Sequence, residues 1–271
     1  MPGPAVRIAG VDLAASPERT GWAVLELSSL PGPGCPAARG RVVGVGAGLE
    51  DEALLTLLAS VSLTGVDVPF GWPRASTGLL AGHGEPPPEA LGSGGAAWRR
   101  RVTLRRTDRL VTERTGQRPL SVAADMIAHP ALRWAAVAAE ARRRGVAVPP
   151  EGPVDPAGGA RACEVYPAGA LRVWGLPHRG YKRAARDAAA PARAEILAGL
   201  RERHPGLDLG PHVQDCLDSD DVLDALLAAV IAACVAGGAA LPPAPGEELD
   251  DARSEGWIWL PQTHDGADRS G

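Results

Sequence analysis

Two apolar runs, Val6 to Leu13 and Gly21 to Leu27, flank the polar stretch AASPERT. Their spacing predicts a β-hairpin with Pro17 and Gly21 as turn punctuation. A Pro- and Gly-rich loop, LPGPGCPAARG, follows, and RVVGVGAG predicts a third strand. In LEDEALLTLLASV, Leu54, Leu55 and Leu58 recur at helical spacing behind acids that suit a first turn. LTGVDVPFGWP reads as a short strand stopped by Pro69. The chain up to Pro69 therefore predicts β-β-β-α-β.

Residues 71–160 break this rhythm and read as a helical insertion. GHGEPPPEALGSGG and VPPEGPVDPAGG are loops, AAWRRRVTLRRTDRLVTERTG is one basic helix, and PLSVAADMIAHPALRWAAVAAEARRRG is one or two helices interrupted at Pro130. RACEVYPAGALRVWG then predicts a fifth strand, ended by Pro167, and a short helix. YKRAARDAAAPARAEILAGLRERHPG is helical with a break near Pro191. DSDDVLDALLAAVIAACVAGG has the strongest helical pattern, capped by Ser219 and stopped by paired glycines. EGWIWLP closes the pattern as a last short strand or docking segment.

Composition narrows the classes. A chain of 271 residues fits one domain with insertions or two domains. Hydrophobic residues are 45% but aromatic ones only 4%, so the core must be built from Ala, Leu and Val. The net charge of -4 gives no global basic signal for nucleic acid. Cys35, Cys163, Cys216 and Cys234 are far apart, without zinc-ligand spacing, and read as free thiols. No signal peptide is expected, and the uncharged stretch from Ala225 to Gly246 reads as a buried helix and loop rather than a membrane span. A cytoplasmic protein without membrane contact is the expectation.

Three predicted strands carry a carboxylate where an apolar residue is expected: Asp12, Asp67 and Glu164. Each lies close to a turn, and strand ends are where α/β sheets bind ligands. Asp220, Asp221 and Asp224 open the long helix, and the i, i+3 spacing gives Asp221 and Asp224 one face. Carboxylates gathered at one place repel unless protons or cations neutralise them. Mg²⁺ or Mn²⁺ suits such oxygen ligands, and paired metals can drive phosphodiester cleavage. Each acid alone also fits a blander role: a turn former, a complement to the helix dipole, or part of a solvated face.

The ordered segments GVDLAASPERTGWAVLEL, GVDVPFGWP, RRTDRLV, CEVYPAGAL, YKR, DSDDVLDALLAAV and EGWIWLP cover the chain nearly end to end. The set resembles the DUF429 family, described as predicted nucleases with a ribonuclease H-like fold. The resemblance implies a single α/β domain over residues 1–271, with a mixed five-stranded sheet whose first three strands are antiparallel, and helices on both faces. Acids on strand one, strand four and the last helix hold metals in that superfamily. Asp12, Asp67 and the Asp221/Asp224 pair occupy those places, in an arrangement similar to the resolvase branch. Glu164 has no clear counterpart there, and stands as a further catalytic candidate.

Eight arginines lie between Arg99 and Arg118, fit either to track a phosphate backbone or to form a solvated helix paired with Asp108 and Glu113. Trp98 is placed to stack on a base. The family match at RRTD implies that Arg105, Arg106 and Asp108 lie near the site, and its Tyr-Lys motif adds Tyr181 and Lys182. Lys182, the only lysine, suits a developing phosphorane charge or a leaving oxygen, whereas His178 reads as a surface residue. The leading expectation is a Mg²⁺- or Mn²⁺-dependent nuclease whose partner is nucleic acid. Two alternatives remain open. One is an ATP-dependent phosphotransferase of the sugar kinase and actin type, with VDPAGGA as a faint second phosphate loop; the other is a non-catalytic binding module.

Overall fold

The computed structural model describes residues 5–32, 37–82, 86, 88–148, 159–182 and 186–262. Cys35 and residues 154–158 of the VDPAGGA stretch lie outside them. Seven strands form one mixed sheet: β1 (Val6–Asp12), β2 (Gly21–Ser29), β3 (Arg39–Ala47), β4 (Leu63–Asp67), β5 (Arg161–Val165), β6 (Gly206–Asp208) and β7 (Ile258–Trp259). Their order is β6-β3-β2-β1-β4-β5-β7. The hairpin makes β1 and β2 antiparallel, and β2 and β3 are antiparallel as well. The remaining neighbours are parallel.

Seven strands replace the expected five. The two additions are edge strands: β7, of two residues, falls in EGWIWLP, expected as a last short strand or docking segment, whereas β6, of three, is too short to display an alternating pattern. β6 lies just beyond His204 and Pro205, in sequence read as the end of a helix.

The helices are α1 (Asp51–Ser60), α2 (Arg74–Leu80), α3 (Gly95–Thr103), α4 (Arg106–Thr115), α5 (Ala128–Arg143), α6 (Pro167–Val173), α7 (Arg186–Arg203), α8 (Val213–Asp218), α9 (Asp220–Ala236) and α10 (Glu247–Glu255). The single basic helix expected around Arg105 is two, α3 and α4. Leu104 and Arg105 turn inward at the break, and the Asp108 carboxylate accepts the Arg105 backbone N–H at the start of α4. Pro130 falls in the first turn of α5, where its missing N–H costs no helical bond, so α5 runs uninterrupted. α7 continues through Pro191.

The sheet has a hydrophobic cluster on each face. Val11, Val66, Leu54, Leu58 and Trp134 join α1 and α5 to one face, so residues 71–160 contribute a helix to the sheet's own packing. Ile8, Leu25, Leu63, Cys163 and α9 form the other. α9 is buried from Val222 to Ala236, as its aliphatic composition requires. Among the described residues, no helix is long and apolar enough to cross a membrane.

Glycines set the depth at which α9 lies. A Cβ on Gly10 would collide with the backbone of Ala225 and Ala229, one on Gly21 with Asp221, and one on Gly65 with Ala228. Gly10 and Gly65 are register partners on adjacent strands. Alanine on the helix therefore meets glycine on the sheet, and the backbones approach closely. Gly10→Ala is expected to lose about 3 kcal/mol of stability, at the upper end of overpacking penalties, because backbone rather than a flexible side chain must yield. A urea-unfolding midpoint unchanged from wild type would refute this.

Candidate functional site

Strand alternation and register build the site. Ile8, Gly10 and Asp12 share the α9 face of β1, and Leu63, Gly65 and Asp67 share it on β4. Asp12 and Asp67 are register partners at the carboxyl ends of parallel neighbours, so their side chains stand side by side. Ser219 caps α9, its hydroxyl accepting the Val222 N–H at 3.3 Å. Asp224 then projects from the first turns of this close-lying helix towards both strand ends. One carboxylate oxygen from each of Asp12, Asp67 and Asp224 lies within 4.8 Å of the others.

Asp224 is 1% exposed, and both of its oxygens are held. Tyr181 donates its hydroxyl to Oδ1 at 3.0 Å, and the Lys182 ammonium contacts Oδ2 at 2.5 Å. Burial pushes the Asp12 carboxyl well above its usual range, and the neighbouring Asp224 and Asp67 charges push it further. Burial raises Asp67 to about 7, against the opposing pull of Lys182. Burial raises Asp224 too, although Lys182 and the Tyr181 hydroxyl oppose it. Desolvation works against the charged Lys182 amine, but attraction from Asp224, the Tyr181 oxygen, Asp67 and Asp12 outweighs it and holds the amine protonated. One ammonium thus faces three carboxylates.

A cavity of about 500 Å³ opens over this cluster. Arg19 and Lys182 are the cations in its lining, and Asp220 and Asp221 join the three central acids there. Asp221 is not part of the close trio. It accepts two bonds from the Arg19 guanidinium, at 2.7 and 2.8 Å, and raises the Arg19 pKa. Of the Asp221/Asp224 pair, therefore, Asp224 joins Asp12 and Asp67 while Asp221 forms a clasp at the rim. Arg19 was not singled out by the sequence; its only signal was its place in the turn seven residues after Asp12. Arg133 fixes that turn, donating to the Ala14 carbonyl, the Thr20 hydroxyl and the Leu49 carbonyl.

Glu164 goes elsewhere. In register, Cys163 sits beside Gly65 and Glu164 beside Val66, so alternation sends Glu164 to the face opposite Asp12 and Asp67. There it accepts two bonds from Arg105, at 2.7 and 2.8 Å, and the Phe70 N–H at 3.0 Å. Asp108 takes the remaining fork of Arg105. Arg105, Asp108 and Glu164 are all within 3% of full burial, so this guanidinium is consumed within the protein. The Arg106 backbone N–H binds Glu255, and its side chain lies 3.9 Å from Glu248. Tyr181 is 1% exposed and reaches the site through Asp224. Neither Arg106 nor Tyr181 lines the acid-bearing cavity.

An α/β protein with a carboxylate cluster where a buried helix crosses the ends of paired parallel strands is the class that fold and site define. The chain belongs to the DUF429 family, whose model, described as a protein of unknown function, matches residues 10–248. Neither the curated proteins nor the solved structures contain a match to it.

Two outcomes follow from the charge distribution. A carboxyl raised to about 7 in the folded state contributes stability below its unfolded pKa of about 4, and that contribution is lost as pH rises through the folded value. Asp67→Asn should therefore raise the melting temperature of the metal-free protein at pH near 8, by about 2–4 °C for each kcal/mol relieved, and leave it nearly unchanged at pH near 4. A pH-independent difference would contradict the assignment. Glu164→Gln, by contrast, leaves Arg105 paired with Asp108 but replaces two charge-assisted bonds by weaker amide contacts, and should cost about 1–3 kcal/mol in urea unfolding. An unchanged unfolding midpoint would show that Glu164 does not hold the Arg105 network together.

Proposed function

We propose that the protein is a divalent-metal-dependent nuclease of ribonuclease H-like architecture, hydrolysing phosphodiester bonds of nucleic acid. The carrying observation is the convergence of Asp12, Asp67 and Asp224 to within 4.8 Å, from β1, β4 and the long buried helix. The antiparallel β1–β2–β3 unit followed by parallel β4 and β5 supports the same reading, with β6 and β7 as additions at the two edges.

The donor set fits Mg²⁺ or Mn²⁺: hard carboxylate oxygens only, carrying more negative charge than Lys182 alone offsets. Asp12, Asp67 and Asp224 would hold the ion, which would supply charge stabilisation and a more acidic water. The chain's own residues do the rest. Tyr181 fixes the rotamer of Asp224. Lys182 offers its ammonium to a phosphate or leaving oxygen next to the acids. Arg19, 60% exposed, is placed to exchange Asp221 for a substrate phosphate at the rim.

The test is hydrolysis of labelled single strands, duplexes, hybrids and junctions in Mn²⁺. Wild type is expected to cut at least one substrate, and Asp12→Asn to lose at least about 100-fold in rate. Calorimetry should show Mn²⁺ binding that the substitution abolishes, strengthening as pH rises through about 7 because ligation displaces protons. Equal cutting by wild type and Asp12→Asn would end this reading.

A further inference from the structure

A second cavity, of about 290 Å³, adjoins the first. Asp67, Lys182, Leu120 and Ile127 line both, so the two chambers share a wall. The first gathers five aspartates with Arg19 and Lys182. The second, besides the shared Asp67 and Lys182, is lined by the paired Arg105 and Glu164, by apolar groups including Val68, Pro69, Val165 and Ile258, and by Tyr166, Gln117 and His178. Gln117 and the Tyr166 hydroxyl are 3.4 Å apart, a long bond that leaves both with hydrogen-bonding capacity.

The connection between α4 and α5 forms the rim. It is firmly anchored: Ser121 donates its hydroxyl to the Thr103 carbonyl at 2.5 Å, its N–H binds Asp125 at 2.7 Å, and Val122 is buried in the core. Yet Leu120 is 58% and Met126 84% exposed on either side of that anchor. Large apolar groups held outward by a fixed loop beside a charged cluster contribute nothing to the core. They give the acid-bearing cavity an apolar rim.

We propose that the second cavity receives one unpaired nucleobase, with the adjoining phosphate over Asp12, Asp67 and Asp224. The proposal rests on the nuclease reading and narrows its substrate to single strands or extruded nucleotides. A nucleotide joins an anionic group to a flat apolar ring with a polar edge, and the second chamber offers apolar walls with Gln117, Tyr166 and His178 beside them. Within a continuous duplex the bases are stacked and cannot enter a side chamber.

The test uses short single-stranded DNA and RNA oligonucleotides, with Ca²⁺ replacing the catalytic ion, and fluorescence anisotropy. One abasic residue is stepped along each strand. The expected result is a loss of about tenfold in affinity at one position, with little change elsewhere. Leu120→Ser, at an exposed site, should weaken the intact strand by a similar factor and add little to the loss at that abasic position. Equal affinity for every abasic strand, or tighter binding of perfect duplex, overturns the base pocket. If Mn²⁺-dependent cutting persists with no positional effect, only the pocket falls. Base-dependent binding with no cutting keeps the pocket and removes the hydrolase. No binding of any oligonucleotide removes both.

Discussion

Everything at the site depends on how closely α9 lies on the sheet. Helix and sheet normally meet through side chains, which hold the backbones apart. Here Gly21, Gly10 and Gly65 remove those side chains from three adjacent strands, and alanines on α9 fill the gap. The short Asp224 side chain can then reach acids at the ends of β1 and β4. A larger residue in the glycine row would lift the helix and open the cluster before it altered any carboxylate. Burial along the rest of α9 supplies the apolar packing that offsets charge crowding at its first turns.

The molecule treats its buried acids in two ways. Glu164 and Asp108 share one guanidinium, with geometry that satisfies all three groups. That arrangement is closed: it ties β5 to α4 and, through the Phe70 N–H, to the segment just after Asp67. Among the described residues, Lys182 is the cation in contact with the Asp12, Asp67 and Asp224 group, and burial drives these carboxyls upward as it does that of Glu164. That arrangement is open, since a cation can still lower its energy. The contrast separates acids that share a guanidinium from acids gathered round one ammonium, and it agrees with the sequence, in which Glu164 had no clear counterpart among the expected ligands.

The hairpin, the strand ending at Asp67 and the Ser219-capped helix were legible because each repeats a local pattern over five or more residues. The convergence of Asp12, Asp67 and Asp224 was legible only as an ordered set of misplaced acids. Register decided the remainder. Glu164 differs from its neighbour Cys163 only by strand alternation, and nothing local tells which of the two faces α9. Arg105 reads as one of eight exposed basic residues until Leu104 and Asp108 turn it inward. Arg19 and the Gln117–Ile127 loop were hidden for another reason. Their part comes from proximity across the chain, without any periodicity to announce it.

Lys182 has a consequence for chemical modification. It supplies the chain's only lysine side chain, and it stands against Asp224. An amine-directed acylating reagent thus finds a single side-chain target, located at the acid cluster. Asp224 keeps that amine protonated and hence weakly nucleophilic, so its acylation rate reports whether the pair is clasped. A surface otherwise built on arginine turns an indiscriminate reagent into a local probe.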